Sequence, residues 1–226
     1  MELNYTNVYN FEGAFRGMRA PMSSWNKSDS IFTNNTTTIG ENDLRLAQKL
    51  IQAGAEHAKF MRQIFVSVDI TAPIYWWKEM DTYKVSTVSN STSTMHKLAS
   101  TPITLDCFET DDYEPNIVVS SGRSINGEWE FTVEDYTEDI IDICEKIRQK
   151  YLETKDKKYW KELIRWLPES WLQTRTITMN YENILNIIHQ RHNHKLSEWR
   201  WLVKQFKEQL PYANELLFFT LEDKND

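Results

Sequence analysis

Residues 64–70, Ile-Phe-Val-Ser-Val-Asp-Ile, carry an apolar side chain at every second position: Ile64, Val66, Val68 and Ile70. Successive side chains of an extended chain point to opposite faces, so this is the pattern of a strand with one buried side. The run ends at Asp69-Ile70-Thr71, and Pro73 follows. Proline suits the first position of a helix, where its missing amide hydrogen is not needed. "PIYWWKEM" is therefore expected as a helix directly after the strand, and a chain built around this junction needs both sheet and helix.

The flanking segments extend that reading. Residues 1–40 give a short strand at Asn7–Phe11, an irregular stretch "GMRAPMSSWNKSDS" and the polar run "TNNTTT". In "ENDLRLAQKLIQAGAEHAKF", Leu44, Leu46, Ala47, Leu50, Ile51 and Ala55 recur at near-helical spacing, with Asn42 as the expected cap. Downstream, "DCFETDDYEPN" is an acidic excursion, and "NIVVSSGRSINGEWEFTV" reads as a hairpin turning at Asn126-Gly127. Residues 132–167 predict one or two helices with a stripe of Ile140, Ile141, Ile143, Cys144, Ile147 and Tyr151, interrupted around Lys155–Lys158. "LQTRTITMN" predicts a strand with Thr174, Thr176 and Thr178 on one face, and Asn180 caps the helix "YENILNIIHQRH". A final helix, "KLSEWRWLVKQFKEQL", stops at Pro211. The expected class is α+β, a mainly antiparallel sheet flanked by helices in a single domain over 1–226, with a variable excursion over 100–133 and no internal repeat.

Composition narrows the function. A chain of 226 residues, 40% hydrophobic and 13% aromatic, can bury a substantial core. A net charge of −7 leaves no basic stripe for a nucleic acid polymer, so any nucleotide ligand is expected to be small. Cys107 and Cys144 lie far apart without ligand spacing, which favours a reducing compartment over a disulfide. The absence of a signal-like start and of an 18-residue apolar run makes a soluble, cytoplasmic protein without a membrane contact the expectation. His189, His192 and His194 lack the i, i+4 pairing and third ligand of a helical metal site, so none is expected.

Six glycines form no phosphate loop of the familiar kinds. The run "SNSTSTMHK", near Lys78 and Lys84, can instead ring phosphate oxygens with hydroxyls, amides and backbone N–H groups. Its plain alternative is a solvated turn or polar edge strand. Trp76 and Trp77 read as core before ligand platform. Arg191, three turns from Asn180 on the same helical face, is either a surface residue or a planar donor to a pyrimidine ring.

The order of these parts resembles the flavin-dependent thymidylate synthases. In that family a strand leads through an Ala-Pro-type helix start into RHRxxSxNExSxRY. Later an LP, a Thr-rich strand and an N-A-R…N…L-R helix complete the site. Here "EHAKFMRQIFVSVDITAPIYWWKEMDTYKVSTVSNSTSTMHK" stands first and "LPESWLQTRTITMNYENILNIIHQR" second, the latter without a gap from Pro168 through Asn180 and Asn186 to Arg191. The resemblance spans residues 41–98 and 160–211. Several charges are rewritten: RHR becomes Thr82-Tyr83-Lys84, Asn-Glu becomes Ser89-Asn90, and the later Ser and Arg become Thr92 and Thr94. The Arg of N-A-R becomes Glu182, and Ile164 replaces the Arg before LP, with Arg165 beside it.

The resemblance implies reductive methylation of dUMP with FAD, NADPH and methylenetetrahydrofolate, by polarisation of the pyrimidine rather than by a cysteine, in a homotetramer. Carried over, Arg191 is catalytic. His57, Thr82, Tyr83, Lys84, Asn90, Asn180 and Asn186 hold FAD, and Lys78, Glu79, Ser91, Thr92, Ser93 and Thr94, together with Arg191, hold the nucleotide. The altered signature keeps two alternatives open: a flavin enzyme modifying another pyrimidine nucleotide, and a catalytically inactive nucleotide-binding relative.

Overall fold

The computed structural model describes residues 1–33 and 36–222; Asn34 and Asn35 of the polar run lie outside them. The chain begins with strand β1 (Glu2–Tyr9), helix α1 (Phe11–Arg19), the short strands β2 (Ile31–Phe32) and β3 (Thr37–Thr38), and helix α2 (Glu41–Gln52). Strand β4 (Phe65–Pro73), helix α3 (Ile74–Met80), strand β5 (Val88–Ser91) and the one-turn α4 (Thr94–Lys97) follow. A hairpin of β6 (Val118–Ser124) and β7 (Gly127–Thr132) leads into α5 (Val133–Thr154) and α6 (Lys157–Trp166). Strand β8 (Leu172–Asn180), α7 (Tyr181–Arg191), α8 (Ser197–Gln209), a π-helical turn (Asn214–Phe218) and α9 (Phe219–Glu222) complete it. The class is α+β, and no helix among the described residues is long and apolar enough to cross a membrane.

The residues cluster into two compact units: one of Met1, Thr71–Lys78 and Ser91–Thr174, the other of Glu2–Ile70, Glu79–Asn90 and Arg175–Asp226. In the second unit lies the four-stranded sheet, ordered β1-β4-β8-β5; the outer ends of β4, β5 and β8 are counted with the first. Ile64, Val66, Val68 and Ile70 are at most 1% exposed, as their alternation demands. The strand nevertheless runs to Pro73, two residues beyond Thr71, and α3 starts at Ile74. Proline's fixed φ is compatible with the end of a strand as well as with a helix start. On β8, Thr176 and Thr178 are exposed while Ile177 and Met179 are buried, the expected alternation.

Three local expectations in the second unit are corrected. Phe11 opens helix α1 rather than closing a strand, because Asn10 turns the chain with φ 68° and Phe11, Ala14, Phe15 and Met18 bury one helical stripe. Gly17 lets this face approach Gln63 closely: a Cβ would stand 2.8 Å from Gln63 Oε1, so the amide would have to shift. Helix α2 is not capped by Asn42. Its N-cap is Gly40, and the Asp29 carboxylate accepts from the Asn42 and Asp43 amides at 2.9 and 3.1 Å. The helix stops at Gln52, before Ala55, where Gly54 takes φ +106°. Nor is α8 the last helix: Tyr212 reverses the chain with φ 55°, and Leu216 and Leu217 of the π turn are fully buried.

The first unit has its own core of Leu98, Ile103, Phe108, Cys144 and Leu163. Trp76 and Trp77 are buried and meet edge to face at 4.8 Å, with the Trp77 indole donating to Gln173 O. The core reading of this pair therefore holds. Helix α5 starts with a Thr132/Asp135 capping box and ends at Lys155, whose left-handed φ of 55° lets Asp156 cap α6. Ile143 leaves the expected stripe and is 52% exposed, whereas Cys144 is buried. Ser124 pairs with Gly127, so the hairpin turns at Ile125-Asn126, one residue earlier than expected. Cys107 and Cys144 are free thiols, and burial pushes the Cys144 thiol up.

Candidate functional site

Asn180 ends β8 and starts α7 because its side-chain oxygen accepts from the Asn183 amide at 3.0 Å, filling a donor that the helix itself leaves unpaired. The residue is 2% exposed. Helix α7 then carries Ile184, Ile187 and Ile188 into the core, and this burial fixes its rotation. Arg191, at its last position, is thereby set among residues of two segments of the second unit, Glu79–Asn90 and Arg175–Asp226.

Arg191 Nε donates to Tyr83 Oη at 2.8 Å. Its guanidinium lies 4.8 Å from the Trp199 ring centre and 5.6 Å from that of Tyr83, and Nη1 is 3.5 Å from Glu79 Oε2. The same Glu79 oxygen accepts from the Trp199 indole N–H at 2.5 Å. The Tyr83 hydroxyl itself donates to Gln190 Oε1 at 3.0 Å. His194 Nδ1 accepts from the Leu196 amide, which assigns the ring hydrogen to Nε2, 3.8 Å from Glu79 Oε1. The result is a cation against a contacting pair of aromatic rings, Tyr83 and Trp199, with one carboxylate compensating it. Nη2 makes no hydrogen bond among the described residues, so a planar acceptor can meet two N–H groups there.

Of the sequence-predicted residues, Glu79, Tyr83 and Arg191 meet directly in this cluster. Asn180 and Asn186 share helix α7 with Arg191; Asn186 is exposed, Asn180 is buried in its cap. Thr82 donates to Glu79 O within the turn after α3, and Lys84 next to Tyr83 is exposed without an ion pair among the described residues. Asn90 is exposed on β5, an edge strand of the sheet. His57 stands exposed on the turn after α2, without a side-chain hydrogen bond among the described residues.

Lys78 and Ser91–Thr94 belong to the first unit. Lys78 pairs with Glu169 on the surface. Ser91 and Thr92 are exposed; the Thr92 amide donates to Thr174 O at 2.9 Å, and Gln173 Nε2 donates to Thr92 O and Thr94 Oγ1 at 3.0 and 3.3 Å. Ser93 Oγ caps α4 through the His96 amide. These residues form an ordered hydroxyl-rich corner.

Sequence reasoning missed Trp199, Gln190, Asn183 and Arg175. Asn183 Nδ2 donates to Val85 O at 2.5 Å, and Arg175 pairs with Asp81 at 2.7 Å, so both tie the 81–85 segment down. The signal for two of them was present: Asn183, Asn186 and Gln190 recur at helical spacing as an amide stripe. Among the described residues no group of three or more His, Cys, Asp or Glu side chains is arranged to hold a metal.

Compared with known proteins, residues 14–212 match the family described as thymidylate synthase complementing protein. No curated protein sequence matches. The chain is similar in structure to flavin-dependent thymidylate synthase ThyX from Helicobacter pylori complexed with FAD and dUMP, at TM-score 0.67 and 16% identity over 96% of this chain and 98% of that one. A second structure of Thymidylate Synthase X from the same organism, with FAD and dUMP, gives TM-score 0.66 and 16% identity over 96% and 97%. At this identity the likeness speaks for the fold.

Proposed function

Because the chain belongs to the thymidylate synthase complementing protein family, we propose that it reductively methylates a pyrimidine deoxynucleotide of the dUMP type, with FAD as cofactor and NADPH and methylenetetrahydrofolate as co-substrates. The observation that supports this reading best is Arg191, a guanidinium fixed at Nε by Tyr83 and stacked on Trp199 while Nη2 keeps its donors. Such a donor pair polarises a pyrimidine carbonyl and stabilises negative charge developing on the ring. Glu79, by compensating Arg191, keeps the guanidinium in place; both are assigned to the nucleotide.

Asn180, Asn186, Thr82, Tyr83, Lys84, Asn90 and His57 are assigned to FAD. The fit is to its polar ring edges and hydroxyls, since the amide stripe of α7 supplies donors and acceptors but Lys84 is the lone cation of the rewritten Thr82-Tyr83-Lys84 triplet. When bound and reduced, the flavin supplies hydride. Lys78, Ser91, Thr92, Ser93 and Thr94 are assigned, on the resemblance alone, to the nucleotide phosphate. The assembly proposed is a homotetramer, and a monomer mass by light scattering at micromolar protein refutes it.

A second reading, modification of another pyrimidine nucleotide, is favoured by Glu79, whose carboxylate beside Arg191 suits an exocyclic amine as well as a ring N–H. The test begins with colour: purified protein is expected to keep a flavin spectrum through gel filtration, and to form thymidylate from dUMP with methylenetetrahydrofolate and NADPH. Product analysis with dUMP and dCMP separates the two readings. Colourless protein that takes up no added FAD refutes both.

A further inference from the structure

Helix α1 repeats Glu12, Phe15, Arg16 and Arg19 on one face, at the i, i+3, i+4, i+7 spacing that stacks side chains turn above turn. That face, with Trp25, Ser28 and Phe32, lines a cavity of about 310 Å³ in the second unit. None of these residues is assigned to FAD or to the nucleotide. Small-molecule pockets are mostly apolar with a few placed polar groups and run from about 300 to 1,000 Å³, so this one suits a ligand of one or two rings. Its apolar part is aromatic. Phe15 is 1% exposed, and its ring lies 6.2 Å from that of Phe32 on β2. Trp25, 51% exposed on the short turn Trp25–Lys27, donates its indole N–H to Arg16 O at 3.1 Å. That bond occupies the one polar atom of the indole and leaves the ring as an apolar wall open to solvent.

The polar part is Arg19, whose side chain is 5% exposed. Its Nε donates to Asp43 Oδ1 at 2.5 Å and its Nη1 to Ser24 O at 3.4 Å. Nη2 has no hydrogen-bond partner among the described residues, yet it is not one of the unpaired atoms sealed from solvent, so its N–H pair keeps access to the cavity. The charges around the cavity are already matched. Asp43, which also accepts from Ser28 and Ser30 at 2.6 and 2.5 Å, compensates Arg19, and Glu12 pairs with Arg16 at 3.4 Å on the exposed rim. A further anion would lose its hydration without a cation to itself, whereas a neutral acceptor satisfies the spare donors and leaves the charge balance intact. We infer that this cavity binds a neutral, flat aromatic ligand bearing a carbonyl oxygen, with Trp25 and Phe32 as walls and Arg19 Nη2 as the donor to that oxygen. The inference goes beyond the proposed function and does not depend on it.

The test is calorimetric titration of the full chain, as purified, with oxindole, indole and indole-2-carboxylate, which share one fused-ring frame and differ in carrying a carbonyl, no acceptor, or a charge. Wild type should bind oxindole about tenfold more tightly than indole, the worth of one hydrogen bond from a charged donor, and more tightly than the carboxylate. Trp25→Ala, at an exposed position that the fold tolerates, should weaken oxindole about tenfold. Arg19→Lys keeps a charge for Asp43 but loses the planar N–H pair, so it should bring oxindole down to the affinity of indole and leave indole unchanged. A merely structural Arg19 would weaken both ligands alike, and that result overturns the inference. If Arg19→Lys does not fold, the wild-type ranking and Trp25→Ala decide. Equal affinity for oxindole and indole in wild type, oxindole binding unchanged in Trp25→Ala, or no binding of any probe at millimolar ligand each overturns it. Tighter binding of the carboxylate overturns it in favour of an anion site, and loss of oxindole binding in Arg191→Ala overturns it by moving the ligand to the Arg191 cluster.

Discussion

Replacing Arg191 by alanine separates a structural from a catalytic role, because the geometry assigns different sizes to each. The side chain is 18% exposed, so its cation–π contact with Trp199 is partly desolvated and contributes about 1 kcal/mol. The hydrogen bond to Tyr83 adds about 1 kcal/mol. The contact with Glu79, at 3.5 Å and with the Glu79 side chain 37% exposed, adds little. Arg191→Ala should thus destabilise by roughly 2 kcal/mol, a fall in Tm of about 4–8 °C for a chain of this size. A solvated helix residue would move it by less than about 0.5 kcal/mol. Arg191→Lys keeps a charge near Trp199 but loses the planar fork, so it should recover part of the stability and little of the turnover. Turnover in folded, FAD-loaded Arg191→Ala should fall roughly a hundredfold with FAD affinity spared. Circular dichroism melts and single-turnover assays read the two effects. An unchanged Tm refutes the packing argument, and unchanged dUMP affinity and turnover refute the site assignment.

Asn180→Ala should cost about 1–2 kcal/mol through loss of the α7 cap, whereas Asn180→Ser should keep the melting temperature and weaken flavin binding; equal loss of both in the serine variant counts against the ligand role. Glu145 forms a two-pronged pair with Arg148 at 2.6 and 2.7 Å, and this pair, helped by the Ile103 and Gln149 N–H groups, lowers its carboxyl from 4.5 to about 2. A depressed folded value means that the stabilisation, roughly 2–3 kcal/mol, is present above pH 4.5 and is lost as pH falls towards 2. Urea midpoints at pH 7, 4.5 and 3 should show that loss, and Glu145→Gln should flatten it; an equally steep decline in the variant refutes the assignment.

The strand of Ile64–Ile70 and the Asn180 cap were legible because each is a local signal: a period of two, and an amide one position before a helix. Helix α1 was not. Its Phe11, Ala14, Phe15 and Met18 stripe is regular, but Gly13 and Gly17 depress helix propensity and Asn10 enters through a left-handed conformation instead of capping. The Asp29 cap of α2 comes from outside the helix and leaves no trace in the helix sequence. At the site, the resemblance supplied Glu79, Tyr83 and Arg191, while the partners that fix them come from tertiary packing. Tyr83 and Arg191 are 108 positions apart, as are no residues that a sequence window can relate. Trp199 lies in the expected final helix, and only the fold turns its indole N–H onto Glu79.

The strand order β1-β4-β8-β5 has a consequence for the ribosome. Strand β5 has β8 as its sole neighbour in the sheet, and β8 also flanks β4. Yet β8 starts at Leu172, about 80 residues after β5 ends at Ser91. At a synthesis rate of about 5–20 residues per second, that separation corresponds to roughly 4–16 s. Throughout that interval β4, with its Val66, Val68 and Ile70, has β1 for one neighbour while the edge that β8 later covers stays open, the condition under which edges recruit other chains. Residues 91–174 are translated and able to condense meanwhile, so vectorial synthesis completes the first unit before it can close the sheet of the second. Demand for a holdase should therefore peak before β8 emerges and fall once it has.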